Sequence, residues 1–129
     1  MKKPKSKRKY YLLDNRVLDN IYNLLTVSYG DNRYNNFIIL HREKGPAITY
    51  PSTYKAFFQY GLRHRINGPA IEYSDGKKLY FLFGESLSKK AYLKKIKDIE
   101  NITIEYLFAD SPAVRKIAEL LIRKKRKKK

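Results

Sequence analysis

The chain has 129 residues, with 29 Lys+Arg against 12 Asp+Glu and a formal charge of +17. That length suits one domain with one core, and 43% apolar with 14% aromatic residues can build that core despite the charge. The absence of Cys excludes a disulfide scaffold, a thiol nucleophile and a thiolate zinc site. Apolar runs such as residues 37–40 are too short to span a membrane. No apolar stretch follows Met1-Lys2-Lys3-Pro4, so the start does not read as a secretory signal. The expectation is an intracellular, basic binding protein, in viral or host cytoplasm or nucleus or packaged in a virion.

In chain order, residues 1–9 are a basic arm of Lys2, Lys3, Lys5, Lys7, Arg8 and Lys9. Like charges repel and do not pack, so a disordered arm is expected. Val17, Ile21, Leu24 and Leu25 share a helical face, with Asp14 or Asn15 as cap, and predict a helix over about 16–27. Tyr29-Gly30-Asp31-Asn32 ends it in a turn, and residues 34–40 read as a strand. Ser88 caps a predicted helix over 88–98 with Tyr92, Ile96 and Ile99 on one face. Ile102, Ile104, Tyr106 and Phe108 alternate, which favours a strand narrowly over a helix. Ser111-Pro112 opens a helix over 112–122 carrying Val114, Ile117, Ala118 and Leu121. A second disordered basic run follows over 123–129: Arg123, Lys124, Lys125, Arg126, Lys127, Lys128 and Lys129. The two arms hold 13 of the 17 net charges, so the 113 residues between them carry only +4.

Between the flanks lies an internal repeat. Gly45-Pro46-Ala47-Ile48 recurs as Gly68-Pro69-Ala70-Ile71, a shift of 23 residues, and eight of 17 positions over 45–61 and 68–84 are identical. His41-Arg42 precedes the first copy and His64-Arg65 the second. The unit is His-Arg-x-x-Gly-Pro-Ala-Ile-x-Tyr, a turn, then an aromatic strand ending in Gly. Each unit reads as a β-hairpin. Pro46 and Pro69 stand at strand starts, where a missing N–H is tolerated. Asp75-Gly76 supplies the positive φ angles of a tight turn, with Pro51-Ser52-Thr53 as its looser counterpart. The second strands are 56–60 and 79–83. With units at 45–67 and 68–90, the fold class is α+β: an antiparallel β-meander with flanking helices in one domain over 10–122.

This spacing, one hairpin per unit and the aromatic-then-Gly ending resemble MORN repeats. The doubled His-Arg-x-x-Gly-Pro-Ala string is closer still to a MORN-like group common in phages and large DNA viruses, some of whose bacterial members are labelled antitoxins. The resemblance covers about residues 34–97, including Gly84-Glu85-Ser86-Leu87-Ser88, which looks like that group's helix-opening stretch. It implies architecture and a viral source more than an activity. The first turn lacks Asp-Gly, and Leu87-Ser88 stands where a third His-Arg would be.

His41 and His64 are the only histidines. A catalytic residue is normally unique, whereas a structural one recurs with its repeat, so both are read as structural, with Arg42, Gly45, Pro46, Arg65, Gly68, Pro69, Asp75 and Gly76. No catalytic residue, metal ligand or cofactor is assigned, and Gly-Pro is no phosphate loop because Pro removes a donor. The arms suit phosphate backbones without base readout, since Lys is a point charge. The expected role is a non-enzymatic binding or scaffold protein whose arms hold nucleic acid or another polyanion non-specifically. The alternative is an antitoxin-like or regulatory module whose hairpin surface binds a protein partner. Tyr50, Phe57, Phe58, Tyr60, Tyr73, Tyr80, Phe81 and Phe83 serve either as core or as stacking platforms.

Overall fold

A computed structural model describes residues 8–19 and 39–127. Its strands are β1 (Lys9–Tyr11), β2 (Val17–Leu18), β3 (Ile48–Tyr50), β4 (Tyr54–Ala56), β5 (Phe58–Gln59), β6 (Leu62–Arg63), β7 (Ile71–Tyr73), β8 (Lys78–Leu82) and β9 (Glu85–Leu87). Three helices follow: α1 (Lys89–Ile96), α2 (Ile99–Tyr106) and α3 (Pro112–Lys127). Seven strands make one antiparallel sheet in the order β2-β1-β3-β4-β7-β8-β9, and β5–β6 is a separate hairpin. The fold is α+β. Among the described residues, no helix is long and apolar enough to cross a membrane.

The same pairings recur, one partner shifted by 23 residues and the other by 46. Tyr10 faces Ile48 as Ala56 faces Ile71. Tyr11 N–H donates to the Ala47 carbonyl (2.8 Å) as Phe57 N–H donates to that of Ala70 (2.7 Å). β1 therefore stands against β3 as β4 stands against β7. The chain then leaves the sheet at Phe57 to form β5–β6, which splits the strand expected over 56–60. In that hairpin Phe58 pairs with Arg63 after five residues. The corresponding bridge before β3 joins Leu12 to Leu40 after 28, a difference of one repeat length.

Burial follows these elements. Ala47 and Ala70 are fully buried, leaving room for nothing larger behind the Gly-Pro corner. Around them Tyr10, Ile48, Ala56, Phe58 and Ile71 form the sheet core. A second core joins Leu82 and Phe83 at the end of β8 to Tyr92 of α1 and to Ile117 and Ala118 of α3. The helices thus cap the last hairpin of the array.

Several elements depart from the sequence reading. Val17 and Leu18 pair with Tyr11 and Tyr10 as a strand rather than opening a helix, and 20–27 of that predicted helix lie outside the described residues. Of the predicted strand 34–40, residues 34–38 lie outside as well. The helix expected over 88–98 ends at Ile96, and Ile99 starts another. Residues 102–106 are helical, because Ile99, Ile102, Thr103 and Tyr106 make a helical stripe that outweighs the alternation of 102, 104, 106 and 108. Lys9 belongs to β1 rather than to a disordered arm. α3 runs through Lys127, so 123–127 are helical where a disordered tail was expected, consistent with basic side chains at a helix C-terminus.

The repeated arginines explain the repeated glycines. Arg42 Nη1 donates to the Pro46 carbonyl (3.2 Å) and Arg65 Nη1 to that of Pro69 (3.1 Å), so each guanidinium folds over the intervening Gly. Gly45 and Gly68 have φ of +136° and +156°, and a Cβ there would meet the Arg Cζ at 3.2 and 3.1 Å. We expect Gly68→Ala to destabilise the protein by about 1–3 kcal/mol. Gly76→Ala, where φ is +98° but nothing lies within 4 Å, should cost less. Urea midpoints of the two variants check the ranking.

Candidate functional site

The site is assembled around the two histidines, and both do the same thing. His41 Nδ1 accepts from Tyr60 N–H (2.9 Å), and His64 Nδ1 accepts from Phe83 N–H (2.8 Å). Tyr60 and Phe83 carry φ of 49° and 54°, a left-handed conformation that aromatic residues rarely adopt. Each is the first residue of a two-residue turn completed by Gly61 or Gly84. Gly61 N–H donates to the Leu40 carbonyl (2.8 Å) and Gly84 N–H to that of Arg63 (2.9 Å). Each turn is therefore gripped twice by the dipeptide ending in the preceding His. The rings also meet, with centroids 4.4 Å apart for His41–Tyr60 and 4.7 Å for His64–Phe83.

The arginines stack. Arg42 lies 3.8 Å from the centroid of the Tyr11 ring and Arg65 3.9 Å from that of Phe57. Arg65 also pairs with Glu72 at 3.0 Å, where Thr49 stands in the first unit. The two units differ in how the Arg carbonyl is satisfied. Gln59 Nε2 donates to Arg42 O (3.0 Å), but the equivalent of Gln59 is Leu82. Tyr92 supplies the missing donor from α1: its hydroxyl donates to Arg65 O (2.7 Å) and accepts from Gly68 N–H (3.0 Å).

Between this platform and α3 lies a cleft of about 450 Å³. Its platform side holds Arg42, Lys44, Phe57, Gln59, His64 and Arg65, and its α3 side Ile117, Leu120, Leu121 and Lys124. Among the described residues, Glu43 is the one carboxylate in its lining. Lys124 of the C-terminal basic run and the repeat arginines, far apart in sequence, thus meet at one place. Among the described residues, two buried side-chain atoms of lining residues have no hydrogen-bond partner: His64 Nε2 and Gln59 Oε1. Burial first and the Lys124 charge second push the His64 pKa down to about 4. His41 is lowered by burial, against an upward pull from Glu43, with a smaller downward push from Lys124.

Other expected binding residues fall elsewhere. Arg8 lies 4.8 Å from the Tyr50 ring centroid, on the sheet. Lys9 is exposed in β1. Lys2, Lys3, Lys5, Lys7, Lys128 and Lys129 lie outside the described residues. Asp75 Oδ1 accepts from Lys77 N–H (2.9 Å), which shapes the β7–β8 turn. Of the eight candidate stacking rings, Phe58 and Phe83 are buried and the other six are half-buried. No cluster of three or more His, Cys, Asp or Glu suited to a metal occurs among the described residues. Sequence reasoning read Tyr92 and Leu121 only as apolar helix-face residues and Gln59 only as part of a strand, not as residues of this site. The mismatch between Gln59 and Leu82 within otherwise matching repeats was the available signal. The chain matches no family model, no curated protein and no solved structure.

The buried, neutral His64 sets a pH dependence. Between pH 6.5 and about 4 the unfolded chain binds a proton at this residue that the folded chain refuses. Its contribution is therefore whole above pH 6.5 and is lost as pH falls toward 4, a difference of roughly 3 kcal/mol. His41 acts in the same direction. Thermal unfolding against pH should show Tm falling across this window. NMR titration should show the His64 ring still neutral at pH 5; a ring titrating near 6.5 would contradict the burial.

Proposed function

We propose that this chain is a non-enzymatic MORN-like repeat protein, of viral type, that binds nucleic acid or another polyanion without sequence specificity. The observation that carries this reading is the meeting of Arg42, Lys44, Arg65 and Lys124 around one cleft, with the basic residues 125–127 continuing α3 beyond it. Cations arranged this way release counterions from a phosphate backbone, which makes affinity steeply salt-dependent. The N-terminal arm adds to the same attraction. The repeat units act as a scaffold that fixes where the helical part of the basic run is displayed.

A second reading, a regulatory or antitoxin-like module that binds a protein partner, draws support from a different surface. An apolar groove of about 600 Å³ runs between α2 and α3, lined by Ile66, Ile99, Ile104, Leu121 and Ile122. Ile104 is 53% exposed beside it and Phe108 is 82% exposed nearby in the chain.

Binding to duplex DNA, RNA and heparin, measured from low to high salt, separates these readings. Replacing Lys124, Lys125, Arg126 and Lys127 by Gln should make the slope of log K against log salt shallower by about 3 to 4 for duplex DNA. An unchanged slope, or no binding at low salt, overturns the polyanion reading. Retention of one specific protein partner by this variant would favour the second.

A further inference from the structure

One face of the seven-stranded sheet carries a row of tyrosines, one on each of three neighbouring strands, with a cation at either end. The strand registers set Tyr50 opposite Tyr54 and Tyr54 opposite Tyr73. Extending the β1–β3 and β7–β8 registers by one residue brings Arg8 opposite Tyr50 and Lys77 opposite Tyr73. Cross-strand partners share a face of a sheet, so all five side chains lie on one side. Their contacts form a continuous line. The Arg8 guanidinium is 4.8 Å from the Tyr50 ring centroid, and Lys77 Nζ is 5.9 Å from that of Tyr73. Between them the Tyr50 and Tyr54 centroids are 6.1 Å apart and those of Tyr54 and Tyr73 5.8 Å.

Two residues further in on the same face, Tyr10, Ile48, Ala56 and Ile71 form the buried row of the sheet core. The tyrosine row beside it is half-buried, which suits rings with a polar tip. Positive charge converges on it. Arg63 of β6 stands 5.4 and 5.5 Å from the Phe58 and Phe81 ring centroids. Burial, then Tyr10 and Tyr73, raise the Tyr54 pKa, and the charges of Arg63 and Arg8 pull it back, so both cations act on the middle ring. Acidic charge is directed elsewhere. Glu72, next to Tyr73, alternates to the opposite face, where it pairs with Lys55 (3.4 Å) and Arg65 (3.0 Å). Asp75 is engaged in its own turn by Lys77 N–H.

A simple anion would use the cations and ignore the rings. A duplex presents phosphates, but its bases are stacked on one another and paired. A single strand offers both at once: unpaired bases stack on aromatic side chains while the phosphates follow flanking cations. Such stacking tolerates any sequence, because every base has a π-face.

We propose that the row Arg8–Tyr50–Tyr54–Tyr73–Lys77, with Arg63 beside it, is a stacking platform for single-stranded nucleic acid. This site rests on the polyanion reading and adds to it a preference for unpaired bases that charge alone does not give.

Two measurements on the full chain test it. In the first, Tyr50→Ala and Tyr50→Phe are compared with the parent protein for binding to oligo(dT) and oligo(U) of about 15 nucleotides, to a duplex of the same length and to heparin, at matched salt. Tyr50→Ala should weaken binding to at least one single strand about tenfold, and change duplex and heparin binding less than about twofold. Tyr50→Phe keeps a ring and should bind like the parent. A folded Tyr50→Ala protein that binds both single strands like the parent, or loses heparin binding equally, overturns the platform. In the second, the parent chain is photo-cross-linked to the same oligonucleotides carrying 5-iodouracil, and the adducts are mapped by mass spectrometry. Adducts on Tyr50, Tyr54 or Tyr73 are expected; adducts confined to other residues overturn the platform, and they decide alone should Tyr50→Ala fail to fold. Binding to heparin without binding to either single strand overturns the platform and leaves the polyanion reading intact. Absence of binding to every one of these ligands overturns both.

Discussion

The sheet depends on a hydrogen bond from an aromatic residue's backbone to a histidine 19 positions earlier. Tyr60 and Phe83 sit in left-handed backbone that costs about 1–3 kcal/mol for a non-glycine residue. Nothing in their own side chains favours it. What holds them is the His Nδ1 on their N–H, the preceding carbonyl on the next N–H, and the contact of the two rings. A hydrogen bond in a buried setting is electrostatically stronger than in water. Both histidines are buried, which disfavours their charged form, and a neutral ring leaves Nδ1 able to accept. The arginine beside each His completes the corner by closing over the glycine before the next strand. One dipeptide therefore fixes the turn that follows it and the entry to the strand that pairs with it.

Only neutral imidazole does this work. A protonated ring would present a donor to another donor. The low pKa of His64, set by burial first and Lys124 second, keeps the ring in the form this bond requires. The same commitment of Nδ1 puts the ring proton on Nε2, which is buried. Structural use of one nitrogen thus fixes the tautomer of the whole ring.

Much of the fold was legible in the sequence. The 23-residue period, the β7–β8 turn at Asp75-Gly76, the Ser88 cap and the Ser111-Pro112 helix start all have local causes, and each stands where its residues predict: Ser88 Oγ accepts from Ala91 N–H at 3.1 Å, for example. The misreadings have a common origin. Val17-Leu18 and residues 102–106 are short apolar stretches whose periodicity admits more than one element, and tertiary pairing decides between them. The identity of β1 as the counterpart of β4 was invisible because Tyr10-Tyr11-Leu12 matches Ala56-Phe57-Phe58 in position and little in residue type. The cleft was illegible for a different reason. Charge counting placed polyanion binding in tails apart from a near-neutral domain, but α3 continues through the first five of the C-terminal basic residues and Lys124 lines the cleft beside the repeat arginines. Net charge averages over positions and contains no information about which of them meet.

The end of the array has a consequence for how such a chain changes length. At the position of a third His-Arg stand Leu87 and Ser88, and Ser88 caps α1 while Leu87 packs into the helical core. Two residues thus separate continuation of the sheet from its closure by helices. Each unit joins the next through the histidine grip on its turn and through strand pairing such as β4 with β7, and one more 23-residue block ahead of Leu87 would keep the spacing of 19 from each histidine to the turn it holds. Growth is quantised: the sheet lengthens by whole units through duplication, and intermediate lengths break the spacing between a histidine and the turn it holds.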